Sequence, residues 1–185
     1  MAVVFLLGLP GCGKSTLGHA LERLGYSFAD TDEAVESRCG CTVAELIGRE
    51  GMEHFRSMEA EELRRLIAEG IRIIACGGGT PCHGDNMELM NRSGLTVRLE
   101  CERSRHIRRL AEAGGSRPMF AGMERSPEAI GMKVDELQAL REPFYSQATV
   151  VFDSSRLESE EEINETAAKF ISRVLDSPAS KIRFS

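Results

Sequence analysis

The apolar run Ala2-Val-Val-Phe-Leu-Leu7 leads at once into Gly-Leu-Pro-Gly-Cys-Gly-Lys-Ser-Thr, residues 8–16. Few local patterns restrict a fold more. A short apolar run bounded by glycine reads as a buried strand, and the segment from Ser15 to Leu24 has helical apolar spacing. Between them, Gly8-x-x-x-x-Gly13-Lys14-Ser15 is the pattern of a phosphate-binding loop. Its glycines let successive N–H groups turn inward, and the helix behind adds free N–H groups and the positive end of its dipole. Gly11, Cys12, Gly13, Lys14, Ser15 and Thr16 are therefore the expected nucleotide-binding residues. Lys14 can reach the β- and γ-phosphates, and Ser15 can ligate Mg²⁺. Cys12 lies beside Lys14 and a helix N-terminus, both of which favour thiolate. That predicts a thiol open to bulky reagents and shielded by MgATP.

Five β-rich runs alternate with helical patterns: Ala2–Leu7, Tyr26–Ala29, Ile71–Cys76, Leu95–Cys101 and Thr149–Asp153. The alternation predicts an α/β three-layer sandwich with a five-stranded parallel sheet. Thr42-x-x-Glu45 and Ser159-x-x-Glu162 read as capping boxes, and Ser126-Pro127 as a cap before an N1 proline. Ile163, Ala167, Phe170, Ile171 and Val174 form the core stripe of a last helix, with Pro178 marking its end. At 185 residues the chain is expected to be one domain over 1–178, followed by a short tail, 179–185. Residues 31–70 exceed what one crossover requires and suit a second substrate. Residues 112–126 carry glycines and Arg117 and Arg125 without a clear period, and read as a lid.

The net charge of −6 argues against a nucleic-acid partner, and no apolar stretch is long enough to span a membrane. The N-terminal run lacks a basic flank, which makes it a strand rather than a signal peptide. The six cysteines lack the spacing of a disulfide framework or a zinc site, so thiols in a reducing, cytoplasmic setting are expected. A monomer is expected as well, though no motif fixes the oligomeric state.

Beyond the loop, Asp30-Thr-Asp32 ends the second strand, at the sheet edge where open α/β folds bind ligands. One carboxylate can support Mg²⁺ and the other can take a proton from an attacking hydroxyl; either can instead cap the next helix. Arg56 and Glu59 are three apart on a helical pattern, so they pair, on the surface or as a held fork for a carboxylate. Gly77-Gly78-Gly79 is costly in chain entropy unless backbone must approach something closely. Arg141, near a helix end, can serve the dipole or a second anion.

Taken together, these motifs resemble the shikimate kinases. The loop Gly8–Thr16, Asp30-x-Asp32, Phe55-Arg56-x-x-Glu59, Gly77-Gly78-Gly79, Arg117-Pro118 and Arg141-x-x-x-Tyr145 occur in that family's order and at about its spacing. The resemblance implies a nucleoside-monophosphate-kinase-like fold, with ATP and Mg²⁺ as cofactors. It also implies transfer of the ATP γ-phosphoryl group to the 3-hydroxyl of shikimate. By the same resemblance, Asp32, Arg56, Gly78, Gly79 and Arg141 hold shikimate. Lys14, Asp32 and Arg117 carry catalysis, with Arg117 meeting the phosphates. Ser15 and Asp30 serve the metal, and Arg156 lies on the adenine side. Two other readings fit the residues: a kinase of another small metabolite, such as gluconate or a nucleoside monophosphate, and a nucleotide-binding module without transferase activity.

Overall fold

Val4 and Leu6 face one side of strand β1 (Val3–Leu7) while Phe5 and Leu7 face the other, and all four are fully buried. A strand buried on both faces belongs inside a covered parallel sheet. The computed structural model, which describes residues 2–113, 122, 124 and 126–177, shows that sheet. Its strands are β1, β2 (Phe28–Asp30), β3 (Ile73–Ala75), β4 (Gly94–Glu100) and β5 (Val150–Asp153). They are parallel, in the spatial order β2-β3-β1-β4-β5.

Helices cover both faces. On one side α1 (Lys14–Arg23) and α8 (Glu160–Phe170) bring Leu17, Leu21, Ala167 and Phe170 against Val4, Leu6 and Val97. On the other, α4 (Met52–Ala68) and α5 (Asn86–Ser93) bring Leu63, Leu66, Met87 and Met90 against Phe5, Leu7 and Ile74. Two smaller clusters stand at the carboxyl edge. One joins α6 (Arg103–Glu112) and α7 (Pro127–Tyr145) to Leu9 of the loop. The other joins α2 (Thr31–Cys39), α3 (Val43–Glu50) and α4 around Val35, Leu46 and Phe55.

The helix ends follow their sequence signals. Thr42 forms both bonds of a capping box with Glu45, and Ser126 caps α7 at the Ala129 N–H. Ser159 caps α8 at the Glu162 N–H, but the Glu162 carboxylate takes the Glu158 N–H instead, so only half of that box forms. The stripe of α8 packs as expected and continues as a π-helical turn, Ile171–Leu175. The expected stop at Pro178, the tail 179–185, and Arg117 and Arg125 of the expected lid lie outside the described residues.

Strand limits move for identifiable reasons. Tyr26 donates to the Leu21 carbonyl, completing the end of α1 through Gly25 at φ +94°, so β2 starts two residues later. Ile71 does the same for α4 by donating to Leu66 beyond Gly70 at φ +73°. At the start of β4, a side chain on Gly94 would overlap the carbonyl oxygen of Val3. That contact is backbone and cannot rotate away. Gly94→Ala should lower stability by about 1–3 kcal/mol, the cost typical of overpacking, read as a lower urea midpoint at unchanged slope.

Candidate active site

Three segments end at the carboxyl edge of the sheet: the loop after β1, the start of α2 after β2, and the glycines after β3. In the loop, Gly8, Gly11 and Gly13 have φ of +141°, +86° and +95°, values that L side chains rarely adopt. Gly13 starts α1, and no side chain caps it. The first-turn N–H groups of α1 therefore open onto the cleft beside the loop. That cleft has a volume of about 380 Å³, and Gly11, Gly13, Lys14, Ser15, Thr16 and Asp30 line it. The Lys14 ammonium donates to the carbonyls of Gly8 (2.8 Å) and Leu9 (3.1 Å).

Asp30 takes the capping role expected for it and also meets Ser15. Its Oδ1 accepts the Asp32 N–H at 2.9 Å and so caps α2, while its Oδ2 accepts the Ser15 hydroxyl at 2.7 Å. A hydroxyl and a carboxylate oxygen so paired are the hard oxygen donors that Mg²⁺ prefers. Asp32 stands in the first turn of the same helix, where burial, then the carboxylates of Glu59 and Asp30, push its pKa up from 3.8 to about 7. Lys14 and Arg56 pull it the other way, and the upward causes win.

A second cavity, of about 250 Å³, opens beside the first between the glycines, α3 and α4, with Val43, Ile47, Met52, Phe55 and Arg56 on its walls. Asp32, Gly77 and Gly78 line both cavities. Arg56 donates to Glu59 at 2.5 Å, and Glu59, fully buried, also accepts the Thr80 hydroxyl. Arg141 is buried at the end of α7 and shares a hydrogen bond with Tyr145. Burial pushes the Tyr145 phenol up, which keeps it a donor, and it donates to the Gly78 carbonyl at 2.7 Å.

The three glycines are now explained by space. A Cβ on Gly77 would run into Glu59 Oε1 and an Asp32 oxygen. One on Gly78 would stand 2.6 Å from Arg141 Nη1, and one on Gly79 would run into the Arg56 guanidinium. The backbone there has no positive φ. The Gly77 N–H donates to Thr31 Oγ1 at 2.9 Å.

A sequence model of shikimate kinase matches residues 10–173. The chain belongs to the shikimate kinase family. It is 36% identical over 166 residues to the shikimate kinase of Parabacteroides distasonis, covering 89% of this chain and 95% of that one. With the Bacteroides thetaiotaomicron protein it shares 38% over 170 residues, 91% and 96% of the two chains. The solved Bacteroides thetaiotaomicron shikimate kinase superposes with a TM-score of 0.83 at 34% identity, covering 92% of this chain and 97% of that one. The Acinetobacter baumannii enzyme in complex with shikimate gives 0.80 at 26%, covering 95% and 93%. A gluconokinase from Sinorhizobium meliloti gives 0.53 at 18%, over 94% and 93%, a likeness of fold alone.

Against the family's motifs, the structure brings Lys14, Ser15, Asp30, Asp32, Arg56, Gly78, Gly79 and Arg141 around the two cavities. Arg117 lies outside the described residues. Arg156 is half-exposed and pairs with Glu162 (3.4 Å) and Glu165 (3.0 Å), while its neighbours Leu157 and Glu158 line the cleft. Cys12 requires a correction. Its thiol is 1% exposed and belongs to the core beneath the loop, so it faces away from the phosphate side. At that burial the thiol is not open to a bulky reagent in the folded loop.

Two residues that no motif marks also serve the site, one lining it and one behind it. Arg109 reaches the cleft from α6, held by the carbonyls of Ser154 (3.1 Å) and Ser155 (2.5 Å). It is one of four arginines between 103 and 109, and nothing in that run distinguishes it. Thr80, behind the glycines, holds Glu59. Gly79→Ala tests the spatial account. Gly79 has φ −100° and ψ −10°, which alanine tolerates, so the fold should survive. The KM for shikimate should rise about tenfold as the Arg56 fork is displaced, with the KM for ATP unchanged in a coupled ADP-release assay.

Proposed function

We propose that this chain transfers the γ-phosphoryl group of ATP to the 3-hydroxyl of shikimate, giving shikimate 3-phosphate and ADP. The observation that carries the reading is the meeting of two cavities at Asp32, a carboxylate poised near pH 7. The cleft over the loop takes the phosphates of ATP on backbone N–H groups and Lys14. The second cavity takes shikimate, with the planar fork of Arg56 on its carboxylate and Arg141 beside the glycines. Ser15 and Asp30 would hold Mg²⁺, which when bound neutralises charge on the β- and γ-phosphates.

Asp32 orients the acceptor hydroxyl and takes its proton as the oxygen bonds to the γ-phosphorus. The bond from that phosphorus to the bridging oxygen breaks, and ADP leaves with the electron pair. A base with a pKa near the working pH suits this transfer. Lys14 meets the charge that develops on the phosphates, and Arg117 joins this proposal from its sequence motif as a second positive group. Glu59 keeps the Arg56 fork in the second cavity. The family resemblance, the ordering of motifs and the double cavity support the reading together. A cytoplasmic monomer that binds neither nucleic acid nor membrane belongs to the same proposal; no helix among the described residues is long and apolar enough to cross a membrane.

The pH profile and variants of Asp32, Arg56 and Lys14 test it. The kcat of the wild type should rise with pH, half-maximal near the Asp32 value of about 7, and level off above it, because only the ionised carboxylate takes a proton. Asp32→Asn should lower kcat by about a hundredfold or more and leave ATP affinity nearly unchanged. The same change should stabilise the protein at high pH. The folded chain holds the Asp32 proton more tightly than the unfolded chain, so the group's contribution to stability falls as pH rises from 3.8 to about 7. Asparagine removes that loss, and Tm should exceed wild type above pH 7.

Arg56→Lys should cut kcat/KM for shikimate by about tenfold to a hundredfold, since a point charge cannot make the two-bond fork. An amide analogue of shikimate should be a poor substrate for wild type and be hurt much less by the substitution. Equal losses on acid and amide, or no turnover of shikimate by the wild type, would sink the acceptor assignment. Lys14→Ala should nearly abolish turnover in a folded protein, and retention of most of the kcat would remove the loop lysine from the mechanism.

A further inference from the structure

Cys39 closes α2, and Cys41 follows it by two residues, just ahead of the Thr42 cap of α3. Their sulfurs are 3.3 Å apart, with Cys41 donating to Cys39. Both side chains are half-buried, and neither lines the nucleotide cleft or the second cavity. Gly40, at φ +69°, makes the tight turn that puts the two sulfurs on one side of the chain. The turn is held from both ends. The Gly40 N–H donates to the Glu36 carbonyl at 2.9 Å, and the Val43 N–H to the Glu36 carboxylate at 2.8 Å. A disulfide requires its sulfurs at about 2.05 Å. Side-chain rotation with a small backbone shift can close the remaining gap, and no helix has to unwind.

We propose that Cys39 and Cys41 are a modification site, a dithiol that closes reversibly to an intramolecular disulfide on reaction with a low-molecular-weight disulfide. The hydrogen bond to Cys39 pushes the Cys41 thiol up, which suits Cys39 to react first and Cys41 to resolve. The Cys39 thiolate attacks one sulfur of the reagent, forming a mixed disulfide, and the other reagent sulfur leaves as a thiolate and is protonated. Cys41 then loses its proton to solvent and attacks the Cys39 sulfur, and the second reagent thiol leaves. Two cysteine thiols are oxidised by two electrons and one small disulfide is reduced to two thiols.

The closure reaches the acceptor side. Cys39, Cys41, Val43 and Ile47 pack against one apolar cluster of Val35, Leu46 and Phe55. Val43, Ile47 and Phe55 also wall the second cavity, and Arg56 follows Phe55. Drawing the end of α2 toward the start of α3 therefore shifts that wall and leaves the phosphate loop alone. This second half rests on the shikimate reading; the chemistry at the sulfurs does not.

The experiment treats the full chain with oxidised glutathione, without substrate, and maps its peptides by mass spectrometry. The peptide holding Cys39 and Cys41 should lose the mass of two hydrogens, and dithiothreitol should restore it. Cys39→Ser and Cys41→Ser should each abolish the loss. The oxidised wild type should then show a KM for shikimate raised about fivefold, a coupling at the low end of the usual range, with the KM for ATP unchanged. A stable glutathione adduct in place of the mass loss, or a loss that survives either serine variant, overturns the modification site. A clean disulfide with an unchanged KM for shikimate overturns its link to the acceptor cavity. An oxidised protein whose reduced form never turns over shikimate leaves the sulfur chemistry standing and rejects the substrate reading instead.

Discussion

Glu59 is fully buried in α4, and its two oxygens are taken by the Arg56 guanidinium and the Thr80 hydroxyl. A buried carboxylate is tolerated only when its charge is matched and its lone pairs are used. Here the match is itself part of the site. Arg56 is fixed on the wall of one cavity, and the same negative charge adds to burial in raising the pKa of Asp32 next door. One desolvated group thus aims the arginine and tunes the base. Such an arrangement costs folding stability, and function sites commonly carry that cost.

The glycines after β3 follow from this arrangement. Four charged side chains, Asp32, Arg56, Glu59 and Arg141, converge on a three-residue stretch of backbone. Any methyl there would move one of them. The constraint is the volume beside the chain, since none of the three has a positive φ. The phosphate loop shows the opposite case. Its glycines are demanded by backbone angles, and side chains such as Cys12 are turned away into the core.

The fold was largely legible in the residues. All five strands appear where apolar runs end at turns, because a sheet covered on both faces needs such runs. Their limits were less legible, since Tyr26 and Ile71 are apolar residues spent on helix endings. The loop, the aspartate pair and the Arg56–Glu59 pair could be read from spacing alone. The direction of a side chain could not: Cys12 sits in the phosphate loop and its thiol points into the core. Arg109 was invisible because its role depends on two carbonyls more than forty residues away in the chain. Thr80 was hidden for a similar reason, its partner being contributed by α4.

Asp30 sits between Ser15 and the backbone of Asp32, with one oxygen committed to each. The length of its side chain is therefore fixed from two directions at once. A glutamate would keep the charge but could not hold both bonds without moving either the first turn of α1 or the first turn of α2. The spacing between the phosphate loop and the base is thus a ruler of a single residue. A change in what the Ser15 hydroxyl bonds to is transmitted to the position of Asp32 across two hydrogen bonds, so the two halves of the site keep their register without any element running between them.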